Sequence, residues 1–107
     1  MGKISSPRLR WRIMVGIGID CDGEKISPEW AHQRVRSIAY ALKGYSITEG
    51  IGVWYGKQEP TLVVEYIGEE SDRDHIDTIA VRIRRHLAQE EVWVSEEPTT
   101  LTRFIKE

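Results

Sequence analysis

Two runs rich in β-branched and aromatic residues, 44–56 and 61–67, flank the turn-like segment Gly56-Lys-Gln-Glu-Pro60, and this pair constrains the fold more than any other stretch. The spacing predicts a β-hairpin with a loop longer than two residues. A lone hairpin is marginal in water, so its apolar face needs a cover. The chain supplies two amphipathic candidates. Ser27-Pro28-Glu29 has the marks of a helix start, with Ser as N-cap, Pro at the first helical position and an acid in the first turn. That helix is expected to run to about Lys43 and stop at Gly44, with Ala31, Val35, Ile38, Ala39 and Leu42 as its apolar stripe and Trp30 at the border. Ser71-Asp-Arg-Asp74 has capping-box spacing and opens a second helix reaching about Gln89. Its apolar stripe is Ile76, Ile79, Ala80, Ile83 and Leu87, and Arg82, Arg85, His86 and Gln89 lie opposite.

Before the first helix, residues 9–19 alternate, with Trp11, Ile13, Val15, Ile17 and Ile19 on one face and Arg10, Arg12, Met14, Gly16 and Gly18 on the other. After the second, Val92-Trp-Val-Ser95 reads as a strand, followed by a Glu-Glu-Pro turn and a further strand or extended tail at 101–105. The order β-α-β-β-α-β predicts an α+β ferredoxin-like domain: an antiparallel sheet with two helices on one face and room for an extra C-terminal strand. Residues 1–8 are expected to be a flexible leader and residues 9–107 a single domain.

A chain of 107 residues with 30% charged and 40% hydrophobic residues suits one globular domain without staples. The net charge of −2 gives no general attraction for nucleic acid, which would need a local patch. Cys21 is the only cysteine, which excludes an intramolecular disulfide and fits a cytoplasmic setting. Asp20 and Asp22 on either side disfavour its thiolate. No apolar run approaches the roughly 18 residues of a membrane span, and no membrane association is expected.

Motifs exclude more than they assign. Gly16-Ile-Gly18 falls within a strand pattern and lacks the third glycine of a dinucleotide loop. Asp20-Cys-Asp-Gly-Glu24 would place Ala31 where a calcium loop needs its bidentate Glu. His32, His75 and His86 lack metal-site spacing, and no Ser sits in a G-x-S-x-G elbow. No metal and no cofactor are expected.

The sheet face away from the helices is the informative surface. It gathers Arg10, Arg12, Thr48, Gly50, Gly52, Trp54, Glu65 and Trp93 as candidate ligand-binding residues. Glycines let a ring or backbone approach closely, while Trp and Arg suit stacking on flat or anionic groups. These residues point to a non-enzymatic binding module for a small anionic, nucleotide-type ligand, a class that includes regulators and viral proteins that sequester a nucleotide. An uncovered sheet also favours a homo-oligomer, a dimer or higher. Glu65 is the one acid in a strand of apolar character, so a small dimeric enzyme using Glu65 with Arg12 is the alternative; an ion pair to Arg10 or Arg12 is the simpler role. A third alternative is a protein-binding adaptor or inhibitor acting through Arg82, Arg85 and His86. Which parity of residues 45–55 faces inward stays open, because Ile51 and Val53 compete with Trp54 and a bulge at Gly50 or Gly52 would switch faces.

The positions Asp22-Gly23, Ile26-Ser27, Trp30, Gly44-Tyr-Ser-Ile47, Gly50, Gly52, Trp54 and Glu59-Pro60-Thr61 resemble a family of small, functionally uncharacterised bacterial proteins with the pattern D-G, V-S, W, G-x-T-V, G-x-W and E-P-S. The resemblance covers roughly residues 20–67. It implies the same ferredoxin-like topology and transfers no chemistry.

Overall fold

The computed structural model describes residues 2–5, 8–99 and 102–105. Its elements are β1 (Gly2–Ser5), β2 (Leu9–Gly16), α1 (Pro28–Ala39), β3 (Ser46–Trp54), β4 (Lys57–Gly68), a 3-10 turn (Glu70–Asp72), α2 (Arg73–His86), β5 (Trp93–Pro98) and β6 (Thr102–Ile105). Four strands form one sheet in the order β3-β4-β2-β5, with every neighbouring pair antiparallel. Each helical connection skips a strand, α1 carrying the chain from β2 over β4 to β3 and α2 from β4 over β2 to β5. This is the ferredoxin-like α+β fold.

The core lies between one sheet face and the two helices. Trp11, Ile13, Val15 and Ile17 pack with Leu62 and Val64 from the sheet, against Ala31, Val35, Ile38 and Ala39 of α1 and Ile76, Ile79 and Ile83 of α2. Burial of each large aliphatic side chain contributes about 1.5–3 kcal/mol. The register Ile13↔Val64 and Val15↔Leu62 puts these inward residues directly opposite one another. Everything at the alternate positions therefore faces away from the helices.

Several local expectations are corrected. The hairpin turn has two residues, not a longer loop: Tyr55 and Gly56 have φ of 50° and 80°, the positive values that a type I′ turn requires. Residues 57–60 consequently belong to β4, and Pro60 is tolerated there because β2 stops opposite Thr61. The Pro60 carbonyl still accepts a bond from Ile17 N at 2.8 Å. Helix α1 is capped by Ser27, whose Oγ accepts from Trp30 N at 3.4 Å, but it ends at Ala39, short of Lys43. At the entry to α2 the reciprocal acid is Asp72, which accepts from Glu69 N at 3.0 Å, two residues upstream of the expected cap. Glu96, Glu97 and Pro98 are strand residues of β5 rather than a turn, held by pairing with Trp11, Arg10 and Leu9. Gly2–Ser5, expected within a flexible leader, instead pairs with Thr102–Ile105 in a separate two-stranded sheet. Residues 1, 6 and 7 of that leader lie outside the described residues. Among the described residues, no helix is long and apolar enough to cross a membrane.

Candidate functional site

The β3–β4 register settles the parity of the hairpin. Ile47, Glu49, Ile51 and Val53 lie on the helix side opposite Val64, Leu62, Pro60 and Gln58, and pairing continues through Gly50 and Gly52 without a bulge. Thr48, Gly50, Gly52 and Trp54 thus share the open face with Arg10, Arg12, Glu65 and Trp93. All eight sequence-derived candidates occupy one surface, yet they do not form one site.

At one end the charges consume each other. Arg12 Nε donates to Glu65 Oε2 at 2.8 Å and Arg10 Nη1 to Glu97 Oε1 at 3.0 Å, with cross pairs Arg12–Glu97 at 3.5 Å and Arg10–Glu65 at 3.7 Å. Two cations and two anions balance locally, so this end offers an anion no net charge. Glu65 is here an ion-pair partner of both arginines, the simpler of its two expected roles.

At the other end the aromatic residues meet. The Trp54 and Trp93 rings lie edge to face, 4.9 Å between centroids and 73° between planes. Trp54 Nε1 donates to Oγ1 of buried Thr61 at 3.0 Å, and Thr61 donates on to the Glu59 carbonyl at 3.2 Å. Gly52 makes this possible: a Cβ there would collide with Thr61 Oγ1 and lie 2.6 Å from Trp54 Nε1.

Beside the aromatic end, past the last residue of β2, opens a cleft of about 680 Å³. Its walls are the loop after β2, including Gly18, Asp20 and Lys25, the hairpin tip with Trp54, Tyr55, Lys57 and Glu59, and the α2–β5 loop with Glu90 and Glu91. Bonds from Cys21 N to Ala88 O at 2.7 Å and from Gln89 Nε2 to Ile19 O at 2.8 Å tie the first wall to the third. Tyr55 OH reaches across from the hairpin and donates to Glu91 Oε1 at 2.6 Å, which pushes the phenol pKa up, chiefly through that hydrogen bond.

Glu59 has the most specific setting in the cleft. Its Oε2 accepts from Gly18 N at 2.9 Å and more weakly from Ile19 N at 3.4 Å. The carboxylate lies on the bare backbone of Gly16 and Gly18: a Cβ at Gly16 would overlap it, and one at Gly18 would sit 2.9 Å from Oε2. Glu59 Oε1 has no hydrogen-bond partner among the described residues. The cleft acids, Asp20, Glu59, Glu90 and Glu91, outnumber its bases, Lys25 and Lys57. Among the described residues no group of three or more His, Cys, Asp and Glu is arranged to hold a metal ion.

Sequence reasoning brought Trp54, Gly52 and Trp93 to the edge of this cleft but missed Glu59 as a candidate residue. The signal was present in two pieces, the Gly16-Ile-Gly18 run and the Glu59-Pro60-Thr61 run. Only a hairpin turn at Tyr55-Gly56 brings them together.

No family model matches the chain, and no curated protein matches it. Among solved structures the chain is similar to a phage SAM lyase in the apo state, with a TM-score of 0.72 and 18% identity over 100% of this chain and 96% of that one. It is similar to a phage SAM lyase in complex with S-methyl-5'-thioadenosine, with a TM-score of 0.62 and 14% identity over 97% and 94% of the two chains. A third likeness is to Arabidopsis thaliana PII bound to citrate, with a TM-score of 0.53 and 15% identity over 90% and 80%. At these identities the likeness is one of fold. It extends over nearly the whole chain, and two of the three structures hold a small ligand.

Proposed function

We propose that the chain is a self-associating, small-ligand-binding module whose ligand is a nucleoside-type metabolite with a positive centre, held in the cleft beside Glu59. The observation that carries this is the Glu59 carboxylate, anchored by one oxygen on Gly18 N and without a hydrogen-bond partner among the described residues at the other, within an acid-rich cleft of about 680 Å³. That volume is in the range of pockets for metabolites. Two unit charges 4 Å apart interact by about 4 kcal/mol at an effective dielectric of 20, so the acids favour a cation and penalise a phosphate to a comparable degree. The ligand class therefore departs from the anionic one expected for Arg10 and Arg12, whose charges Glu65 and Glu97 already balance. Trp54 and Tyr55 supply rings at the cleft wall on which a flat base can stack.

The phage SAM lyase structures support a narrower choice within this class. S-adenosylmethionine joins a purine nucleoside to a sulfonium cation, and methylthioadenosine is its neutral fragment. The end-to-end similarity to those enzymes favours a second reading as well, in which the bond from the sulfonium sulfur to the aminobutyrate chain of bound S-adenosylmethionine breaks with its electron pair staying on sulfur, so that methylthioadenosine leaves while the substrate's own carboxylate closes on the freed carbon as a lactone.

Isothermal titration calorimetry with S-adenosylmethionine, methylthioadenosine and ATP tests the first reading. Binding of the sulfonium compound in preference to ATP, weakened at least tenfold by Glu59→Gln, is expected. Equal or stronger binding of ATP, or no effect of Glu59→Gln, would overturn it. Mass spectrometry of the same mixtures decides the second, since accumulation of methylthioadenosine only with active protein is required for turnover.

A further inference from the structure

The four-stranded sheet has two edges, and only one carries the features that keep strands from pairing with other chains. β5 is six residues long and presents Glu96, Glu97 and Pro98. Short length, charge and proline are the usual protections of an edge. β3 is nine residues long, has no proline or lysine, and carries a single charged residue, Glu49. That residue is occupied by α1, with His32 Nε2 at 3.3 Å from Glu49 Oε2. β3 pairs with β4 alone among the described strands, so its outer backbone groups face outward along its length. Ile47 packs on the core, whereas Ile51 and Val53, on the same side of the strand, are 77% and 62% exposed. The helices cover one half of β3 and leave two β-branched residues bare on the other.

The strand is also suited to its own copy. In an antiparallel pairing over all nine residues, Gly50 lies on the two-fold axis. Val53 then falls opposite Ile47, Ile51 opposite Glu49, Gly52 opposite Thr48 and Trp54 opposite Ser46. Val53 meets the apolar Ile47, Trp54 and Thr48 meet the small Ser46 and Gly52, and Ile51 lies along the aliphatic stem of Glu49; the two Glu49 side chains are diagonal neighbours across the axis, not directly opposite. Apolar cross-strand pairs of this kind contribute roughly 0.2–1 kcal/mol each beyond the backbone bonds. On the open face, by contrast, the ionic groups are already balanced and Trp54 packs on Trp93, so that face has less to gain from a partner.

We infer that β3 is the self-association surface, pairing with β3 of a second copy into a continuous eight-stranded sheet. This rests on the self-association in the function proposed above and names the surface for it. Light scattering after size exclusion gives the subunit number of the full chain and of Ile51→Lys. Ile51 is largely exposed and lies outside the cleft lining, so the substitution should leave the melting temperature of the isolated subunit close to wild type. The wild type should be a dimer, and Ile51→Lys should raise its dissociation constant at least tenfold. Gly50→Cys in a Cys21→Ser background provides an independent readout, because a Cβ at Gly50 meets no atom within 4 Å and should not disturb the fold. On mild oxidation it should run as a covalent dimer on a non-reducing gel. A monomer at every concentration overturns self-association and the edge together. An oligomer unaffected by Ile51→Lys and not cross-linked through position 50 overturns the edge alone.

Discussion

Thr61 shows how a single hydroxyl can organise a site. It is 6% exposed and is the buried polar residue of the described core, accepting from the Trp54 indole and donating to the Glu59 carbonyl. Thr61→Val keeps the shape and removes both bonds, leaving the part-buried indole N–H without a partner. A buried donor left unsatisfied costs about 1–3 kcal/mol. Urea denaturation should show a loss of that size, with a shift in tryptophan emission as the Trp54 ring loosens over Gly52. Gly16 is the matching residue on the other wall. Gly16→Ala must expel the Glu59 carboxylate from its seat, so it should reproduce the ligand-binding loss of Glu59→Gln while Gly44→Ala, at a site with open space, leaves binding unchanged. At this scale the sequence was informative about types and poor about contacts. Trp54 and its glycine neighbours could be marked from alternation alone, whereas the seat of Glu59 on Gly16 and Gly18 depends on residues about forty positions apart.

Among the elements, the hairpin and the α2–β5 connection fix the cleft. The turn works because Gly56 takes φ of 80°, a conformation available to glycine and costly to other residues, and Tyr55 takes φ of 50° beside it. Gly56→Ala should cost about 1 kcal/mol in the same denaturation assay. Alternation gave the strands and apolar stripes gave the helices. The turn was misplaced because Gly-Lys-Gln-Glu-Pro looks like a loop until Tyr55 is allowed a positive φ. The Glu96-Glu97-Pro98 segment was misread for a related reason, since its strand character comes from partners on β2 and α2. Glu96 accepts from Trp11 Nε1 at 2.7 Å and from Arg73 at 2.8 and 2.9 Å, and its carboxyl pKa is lowered first by the Arg73 bonds and then by Trp11. A carboxyl whose pKa is lower folded than unfolded contributes stability above its unfolded value of about 4, and that contribution is lost as pH falls through the folded value. Melting temperature measured from neutral to acid pH should therefore fall, and Glu96→Gln should flatten that acid limb, lying below wild type at neutral pH and converging with it at the acid end.

At the scale of the whole molecule, the two ends of the sheet differ in how their charges are paired. The ionic end, with Arg10, Arg12, Glu65 and Glu97, is closed upon itself, and the cleft end keeps a carboxylate oxygen unspent. Topology was legible in the sequence because the order of amphipathic segments permits few packings, and the cleft end was not, because three connections meet there and none announces its neighbours. Ligand linkage tests this difference in one measurement. A ligand that binds only the folded chain stabilises it by about 2.7 kcal/mol at one hundred times its dissociation constant. For a domain of this size each kcal/mol moves the melting temperature by roughly 4 °C, so a rise of about 10 °C is expected with S-adenosylmethionine. Charge reversal at the ionic end, Arg12→Glu, should lower the starting temperature by placing three acids around Arg10, yet leave the ligand-induced rise intact. Glu59→Gln should do the opposite, sparing the starting temperature and shrinking the rise. If Arg12→Glu abolished the rise and Glu59→Gln did not, the ligand would sit on the arginine end of the open face and the cleft assignment would fall.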